Sequence, residues 1–453
     1  MISRNLVQRK TANFLRMASA HAIPSLDEKF EFTADSKRRL MIGLAAGVAL
    51  VAVGCFLLAS GAGNHEVHEA GHAAGAGAAH EGAHHAYKWT NRLWANIWLN
   101  AIYFTGASVI GMFFISYNYL AQAGWSVAFK RVPEAMPAYL PFMGVAVLAV
   151  FLLAGHDLFH WTNPDLYDTT KEAYDPIIAG KKGFLNTPFY LIRVTLYFVL
   201  WYVLWRGIRA NSLQEDLSHG TEHYYKSLRL GVIFLVVFAV TSSTSAWDFV
   251  MSIDTHWFST MFGWYTLASW HVTGLAVITL TVLTLKERGL LTMVNASHLH
   301  DLGKFMFAFS IFWTYVWFAQ FMLIYYANLP EETIHYREIF SGHGGIYKAP
   351  FFINLLLNFV FPFLVLMTTA AKRTTVILKV AAWSIIIGHY FDFYVNIMPG
   401  TVGSHGGFGP IEFGMILIFA CGFIWSVYTQ LEKANLVPKN HPMLEESLHH
   451  DIN

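Results

Sequence analysis

The residues best suited to chemistry in this sequence are ionisable side chains that lie within long apolar runs. The stretch from Thr241 to Thr281 reads as two membrane-spanning segments joined by a short polar hinge at residues 254–256. Asp248 lies shortly before the hinge, and His271 lies about 20 Å beyond it if the second segment is helical. Because the apolar layer of a membrane is about 30 Å thick, we expect His271 near its middle. Ionisable groups at such depth usually face a bundle interior or a water-filled path.

A second set of polar residues follows one face of a later apolar run. His389, Asp392 and Asn396 are spaced three and four apart, so a helix would bring them to the same side. A carboxylate three residues from a histidine can hold the tautomer of the ring and tune its pKa, which suits a proton relay. The alternative is a polar clamp between helices. Asn354 and Asn358, four apart on another run, would extend the same polar seam.

From these side chains we predict a transmembrane proton path. His271 and His389 would reach the middle of the membrane from two different helices, and Glu412 would serve near the outer exit. The predicted path comprises Asp248, His271, Gln320, His389, Asp392, Asn396 and Glu412.

A third set of polar residues lies near span ends and suits a quinone headgroup. Such a site needs hydrogen-bond donors and acceptors near one membrane face, and we identify His156, Asp157, Arg193 and Asp248 as candidates. Arg193 lies about one turn inside the membrane, where a buried cation needs an anionic partner. Three carboxylates are available for it: Asp157, Asp248 and Asp254. The alternative is that these are ordinary interfacial polar residues.

The sequence offers little for a metal, haem or iron–sulfur centre. Its two cysteines, Cys55 and Cys421, lie in apolar runs, so no cysteine-based cluster site is available. Two haems would need four well-spaced ligands, whereas only His271 and His389 are deep. His160 shares a helix face with His156 at the membrane edge. We therefore predict no metal site.

Composition places these residues in a membrane protein. Of 453 residues, 55% are hydrophobic and only 13% are charged, against about 25% charged in soluble domains. Apolar runs of about 20 residues match the length of a spanning helix. Ten are predicted, at residues 40–60, 93–119, 136–160, 188–208, 229–253, 258–285, 303–327, 349–371, 375–398 and 408–431. The expected fold class is an all-α polytopic membrane protein, with two four-helix bundles and peripheral helices.

The domain organisation follows from these runs. In order, we predict an arm (1–39), the first span (40–60), a loop rich in His, Gly and Ala (61–92), one four-helix bundle (93–254), a second (255–398), the last span (399–431) and a tail (432–453). The loop is expected to be flexible, although His-rich tracts can collect metal adventitiously. The tail is polar and is expected to need no core.

The positions of Lys and Arg predict the orientation in the membrane. If the N-terminus is inside, most of the 30 Lys and Arg residues fall on that side. The other side carries only Lys88, Arg92, Lys171, Lys181, Lys182, Arg337 and Lys348. We therefore predict a multi-pass membrane protein with both termini in the cytoplasm.

Two runs resemble a known family. The runs WDFVMSIDTHWFSTMFGWY and LHDLGKFMFAFSIFWTYVWFAQFMLIYYANLPEETIHY are similar to the ActF-type membrane subunits of alternative complex III, a bacterial quinol:cytochrome c oxidoreductase. Those subunits are related to the NrfD / polysulfide reductase membrane-anchor family. The resemblance extends from about residue 40 onward.

The resemblance implies a ten-helix subunit with two four-helix bundles and no cofactor of its own. Its partners would be a homologous membrane subunit, an iron–sulfur subunit and multihaem cytochrome c subunits, which would carry the haem c and the clusters, and also a terminal oxidase. The complex would lie in a bacterial inner membrane and would oxidise quinol, usually menaquinol. Lipid is the surrounding partner, and no nucleic acid is expected.

Three functions stay open at this point. The chain would contribute a proton path and assembly contacts, with a quinol site as a further option; it would be a scaffold whose polar residues only clamp helices; or it would be a stand-alone secondary transporter. The transporter interpretation is the least favoured, because broken helices usually mark such proteins and the only deep proline is Pro362. No residue is assigned a catalytic role.

Overall fold

The computed structural model describes residues 27–60 and 88–451, apart from the side chain of Glu331. The His-rich part of the predicted loop and most of the predicted N-terminal arm lie outside these ranges. The described part of the chain is 79% helical and contains no β-strand. Ten of its helical segments are long and apolar enough to span a membrane, which confirms the all-α polytopic class.

The ten spans are numbered α1 to α10 in chain order. They are α1 (Ala34–Ala59), α2 (Trp89–Leu120), α3 (Arg131–Leu158), α4 (Thr187–Glu215), α5 (Glu222–Ile253), α6 (Phe262–Glu287), α7 (Ala296–Ala327), α8 (Lys348–Val365), α9 (Thr375–His405) and α10 (Pro410–Leu431). Short α-helices outside the spans cover Pro176–Gly180, Pro330–Phe340, Thr369–Arg373 and Leu444–Leu448.

The even number of spans brings both ends of the described chain to one side. We call this side the terminal face; it carries residues 27–33 and 432–451, which contact one another. The opposite side, the loop face, carries the connections at residues 159–186, 254–261 and 328–347.

The spans pack as two neighbouring groups. In the first, α2 packs on α3 and α5, and α4 packs on the same two helices. In the second, α6 packs on α7 and α9, and α8 packs on those two. α2 also contacts α6 and α9 and is the most enclosed of the ten spans, so it lies at the junction between the groups.

The junction is tight because small residues face large ones across it. A Cβ added to Gly106 on α2 would lie 1.9 Å from the indole of Trp270 on α6, and one added to Gly274 on α6 would lie 2.3 Å from Ile110. Glycine at both positions therefore permits the close approach that membrane helices use in the absence of a strong hydrophobic driving force.

α1 and α10 form a peripheral pair outside both groups. A Cβ added to Gly47 would lie 2.9 Å from the carbonyl oxygen of Gly414, and one added to Gly54 would lie 2.4 Å from Ile411. Only 11% of the apolar window of α1 is buried, so this helix depends on α10 for most of its protein contacts.

α8 contains a π-helical turn in mid-span. The turn covers residues 356–360, and Pro362 follows in the next α-helical segment, Phe361–Val365. Proline cannot donate to the carbonyl four residues earlier, which here is that of Asn358. Ser384 on α9 donates to the carbonyl of Leu357 at 2.8 Å. The π turn and Pro362 thus leave backbone carbonyl groups of α8 without their usual helical partners where α8 meets α9. π turns of this kind often mark functional sites.

The tail differs from its prediction as a segment that needs no core. Leu436, Val437 and Leu444 are buried against the bundle. Ser447 accepts a hydrogen bond from the backbone N–H of Ala128 at 3.0 Å, and His450 contacts Asp301 at 2.7 Å. The tail therefore lies across the terminal face and contacts both groups of helices. Its polar composition concealed this, because only a few apolar residues fix it in place.

Candidate functional site

Asp392, on α9, is the centre of the most elaborate polar network inside the membrane. Its side chain is 1% exposed. It accepts hydrogen bonds from Tyr265 and Ser269 of α6, from the Trp313 indole of α7 at 3.2 Å, and from Asn354 of α8 at 3.0 Å. All four helices of the second group therefore meet at one carboxylate.

His389 lies one helical turn from Asp392 and is linked to it through Ser269. The Ser269 hydroxyl donates to Asp392 at 2.8 Å and lies 2.9 Å from Nδ1 of His389. Because that hydroxyl has one proton, which goes to the carboxylate, we assign the proton on the neutral imidazole to Nδ1. The other nitrogen, Nε2, is then the free acceptor. It is buried and has no hydrogen-bond partner among the described residues.

The network extends towards the π turn of α8. Asn358 donates to the side-chain oxygen of Asn354 at 2.5 Å. Its own oxygen is buried and unpartnered within the described chain, and lies where a Cβ on Gly388 would be 2.2 Å away. The π turn therefore places a second amide beside the carboxylate–histidine pair, and Gly388 makes room for it.

In the other direction, the network reaches a small cavity towards the loop face. Asn396 donates to the Tyr265 hydroxyl at 3.2 Å and to the backbone carbonyl of Asp392 at 2.7 Å. Tyr265, Gln320, His335, Tyr336 and Asn396 line the cavity together with apolar residues. It offers about 10 Å³ to the centres of water molecules, which is about the space one ordered water requires.

The loop-face end of the cavity is formed by an ion pair. His335 lies 3.5 Å from Asp254 and stacks on Trp257 with ring centroids 4.1 Å apart. Burial alone would raise the pKa of Asp254, but the hydrogen bond and charge of His335 outweigh it and hold that pKa below its ordinary value. Nearby, burial and the charge of Asp254 raise the pKa of Glu338. Titratable groups therefore lie between the cavity and the aqueous phase.

His271 lies on a different face of α6 and does not join this network. It is two residues from Ser269, so a helix turns it to nearly the opposite side. Its ring contacts Phe113 and Tyr117 of α2 and Phe309 of α7, with centroids 5.2, 5.7 and 4.1 Å away. No hydrogen bond joins it to His389 in the described chain, so the two deep histidines are separate elements.

Asp248 and Arg193 form a closed ion pair in the first group. Arg193 donates to both carboxylate oxygens at 2.7 and 3.0 Å, and the Tyr197 hydroxyl adds a third hydrogen bond at 2.8 Å. The guanidinium is also packed against the rings of Phe184 and Phe189. Of the three carboxylates considered for Arg193, Asp248 is the one that pairs with it.

Glu412 is held in a similar way at the start of α10. Arg92 donates to its two oxygens at 2.8 and 3.0 Å, Asn96 donates at 2.9 Å, and the N–H of Gly409 donates at 2.7 Å. The carboxylate therefore caps α10 and ties it to α2, which is a structural arrangement.

The remaining quinone candidates lie apart from the Arg193 pair. The exposed His156 ring lies 3.0 Å from the Thr162 hydroxyl. Asp157 pairs with Lys88 at 3.4 Å. No hydrogen bond or ion pair of the described chain connects either residue to Arg193 or Asp248, so the structure does not assemble the four into one headgroup site.

The network includes residues that the sequence did not single out. Tyr265, Ser269 and Trp313 surround Asp392, yet hydroxyl and indole side chains are common in membrane helices and carry no signal alone. One usable signal was spacing, since Tyr265 and Ser269 are four apart and share a face. His335 and Tyr336 close the cavity from a short helix outside the spans.

No protein-family model matches the chain, and no curated protein matches it. Within the part of the chain that the structure describes, no group of three or more His, Cys, Asp or Glu side chains could hold a metal ion.

Proposed function

We propose that this chain is an integral membrane subunit of a quinol-oxidising respiratory complex, and that it conducts protons through the Asp392–His389 network. The main support for the proton path is the identity of the residue that pairs with Asp392. Asp248 and Glu412 are each paired with arginine, which keeps its proton at any physiological pH. The only ion-pair partner of Asp392 within 4.0 Å in the described chain is His389, at 3.6 Å.

A histidine can gain or lose a proton near neutral pH, whereas arginine cannot. A carboxylate that faces a histidine can therefore exchange a proton with it, whereas one that faces an arginine cannot. Nε2 of His389 is the natural acceptor, since Nδ1 is engaged with Ser269. Tyr265 and Asn396 then connect the pair to the cavity, and His335 and Asp254 connect the cavity to the loop face.

The respiratory assignment rests on the resemblance to the ActF-type subunits. The two runs that carry it supply Tyr265, Trp313, Gln320 and His335, which are residues of the network and its cavity. In this proposal the terminal face is cytoplasmic, as the Lys and Arg distribution favours, and the cavity opens to the outer side. Haem c, iron–sulfur clusters and quinol oxidation belong to partner subunits.

The first test of the assignment is purification of the tagged chain from its native membrane with its partners. We expect c-type haem in the absorption spectrum and quinol:cytochrome c activity in the eluate. A colourless chain that purifies alone and is inactive with quinol contradicts the respiratory assignment. Transport by the chain alone would then be the hypothesis to test.

The test of the proton path is Asp392→Asn, which keeps the shape of the side chain and removes its charge. We expect the complex to assemble while proton-coupled turnover per assembled complex falls by about 100-fold, the order expected when a positioned acid–base group is lost. Proton uptake by reconstituted vesicles is the direct readout.

The matched control is Glu412→Gln. This carboxylate is held by Arg92 and caps α10, so its loss should reduce assembly and leave turnover per assembled complex unchanged. If Asp392→Asn behaves in this same way, the polar residues only clamp helices and the chain is a scaffold.

A further inference from the structure

A second buried cluster of charged residues lies at the terminal end of the first group of helices. It forms where the residues before α3 meet the end of α4. The cluster consists of Lys130, Arg131, Glu134, Arg209, Glu215 and Asp216. The proton path proposed above does not use this cluster. In the sequence, its three Lys and Arg residues contribute only to the predicted orientation in the membrane.

Both arginines of the cluster are matched by carboxylates. Arg131 lies 3.0 Å from Glu134 and 2.5 Å from Asp216, and it also donates to the Ser212 hydroxyl at 2.8 Å. Arg209 lies 3.2 Å from the same oxygen of Glu134. The Arg131 contacts are hydrogen bonds, whereas Arg209 meets Glu134 at ion-pair distance, and together they form a structural network of buried ion pairs.

Glu215 is bound differently from its neighbours. Its side chain is 0% exposed, yet neither carboxylate oxygen has a hydrogen-bond partner in the described chain. Its cation, Lys130, is 3.8 Å away and instead donates to the Tyr119 hydroxyl at 2.5 Å. A buried carboxylate without hydrogen bonds is unfavourable when ionised. It gains stability by taking a proton or by binding water.

A cavity lies beside Lys130, although Glu215 itself does not line it. It offers about 20 Å³ to the centres of water molecules, enough for about one ordered water. Tyr119 and Lys130 form one wall, and Tyr224, His441 and Met443 form another. His441 and Met443 belong to the tail, so the tail separates this cavity from the aqueous phase at the terminal face.

The tail wall of the cavity carries no charge of its own. Burial, together with the charges of Lys130 and Arg131, lowers the pKa of His441 to about 2. The ring is therefore neutral at physiological pH and can pass a hydrogen bond without competing for the proton. In contrast, attraction to Tyr119, Glu215 and Glu134 outweighs burial and raises the pKa of Lys130, which stays charged.

We propose that Glu215 is a proton-exchange site that takes up protons from the aqueous phase at the terminal face through this cavity and past Lys130, which lies 3.8 Å from it. Uptake converts the carboxylate to a carboxylic acid: an O–H bond of a water that enters past Lys130 breaks, one to Glu215 forms, and buffer protons restore the water. Lys130 keeps its proton and sets the affinity of the site. The inference is independent of the Asp392 path, since the two sites share no residue.

Titratable groups face Glu215 from every element packed around it. They are Tyr119 of α2, Lys130 before α3, Arg131 and Glu134 of α3, Asp216 after α4, and Tyr224 of α5. In the ionised cluster, the charges of the three cations and three anions cancel. Protonation of Glu215 leaves one positive charge in excess, so nearby cations oppose uptake.

The test is infrared difference spectroscopy of the full-length chain in lipid nanodiscs, between alkaline and acidic buffer. We expect a carboxylic acid C=O band that appears on acidification, shifts in D₂O and is absent in Glu215→Gln. The matched control Glu222→Gln removes an exposed carboxylate that pairs with Lys226, and it should keep the band. Asp392→Asn should keep it as well.

A second variant keeps the proposal testable if Glu215→Gln does not fold. In Lys130→Gln the cation nearest Glu215 is lost, so the midpoint of the C=O band should move to higher pH by about one unit or more. A chain without a pH-dependent band sensitive to Glu215 or Lys130 overturns the proposal, and so does a band that never exchanges in D₂O. Either result would make Glu215 and Lys130 a permanent structural ion pair.

Discussion

Three buried acids of this protein differ mainly in the basic residue that each one faces. Asp248 and Glu412 face arginine and accept hydrogen bonds on both oxygens, whereas Asp392 faces a histidine. Because the guanidinium holds its proton, the first two are fixed charges that position helices. The same residue type therefore serves stability at two places and suits proton transfer at a third.

The Arg193–Asp248 pair yields a stability prediction at the residue scale. Arg193→Gln removes the cation and leaves a buried carboxylate, which should lower the free energy of unfolding by about 3–5 kcal/mol. The double variant with Asp248→Asn should lose less than the sum of the two single changes, because the unpaired charge is gone. Unfolding in mixed detergent micelles measures each value.

The control for this cycle is Lys226→Gln, which breaks an exposed pair with Glu222. Such pairs contribute about 0–1 kcal/mol, so this variant should unfold like the parent. Additive effects of Arg193→Gln and Asp248→Asn would contradict a coupled pair.

The sequence predicted some of the site and not the rest, for definable reasons. The spacing of His389 and Asp392 placed them together, since residues three apart share a helix face. It also paired His271 with His389, but that pairing depends on the rotation of α6, which Ser269 and Tyr265 set by bonding to Asp392. Helix rotation is decided by tertiary contacts that hydropathy does not contain.

At the scale of elements, the meeting of α8 and α9 decides the geometry around Asp392. The π turn places Asn358 against Gly388, at the depth where Asn354 bonds to the carboxylate. Hydropathy predicted a span here, because it averages over about 20 residues. It did not predict the widened turn, although Pro362 was a visible cause.

Gly388→Ala tests this contact. The new methyl would lie 2.2 Å from Asn358 Oδ1, so α8 and α9 must separate, at a cost of about 1–3 kcal/mol for overpacking. We expect lower thermal stability together with weaker proton-coupled turnover. Gly180→Ala is the control, since a Cβ there meets nothing within 4 Å; equal behaviour of the two variants would refute the close contact.

The hinge between α5 and α6 yields a pH prediction at the same scale. Asp175 lies 2.6 Å from His256 of the hinge. Burial raises the pKa of Asp175, but the His256 hydrogen bond and the N–H groups of Ile178 and Ile177 outweigh it and lower that pKa from 3.8. The pKa of Asp254 is lowered as well.

A carboxyl group whose pKa is lower in the folded hinge than in the unfolded chain stabilises the folded hinge. This stabilisation is complete when the pH is above the pKa of the unfolded chain, and it is lost as the pH falls through the pKa of the folded hinge. The hinge should therefore open only below about pH 4. Limited proteolysis at residues 254–261 across this range measures the opening. Asp175→Asn should flatten the profile, and Asp168→Asn, which alters a carboxylate bonded only locally to Thr170, should not.

For the molecule as a whole, the tail stabilises the terminal face. It joins the connection between α2 and α3 to the start of α7 through Ser447 and His450. Deletion of residues 441–453 exposes the site of Leu444, whose burial contributes about 1.5–3 kcal/mol, and removes several hydrogen bonds of about 1 kcal/mol each.

We therefore expect the deletion to lower the free energy of unfolding by at least about 3 kcal/mol and to speed proteolysis of the connection at residues 121–130. His449→Ala alters a side chain that is 83% exposed and is the control. A truncated chain as stable as the parent would show that the tail only rests on the bundle.

The pairing of α1 with α10 has a consequence for biosynthesis. The ribosome makes α1 before the other nine spans, yet its glycine face meets only the last one. At about 5–20 residues per second, α1 stays without this partner in the bilayer for tens of seconds. A chain interrupted before Pro410 leaves that face open to the membrane, where quality-control proteases or the α10 of a neighbouring nascent copy can reach it. Completion of the last helix thus covers the glycine face of α1.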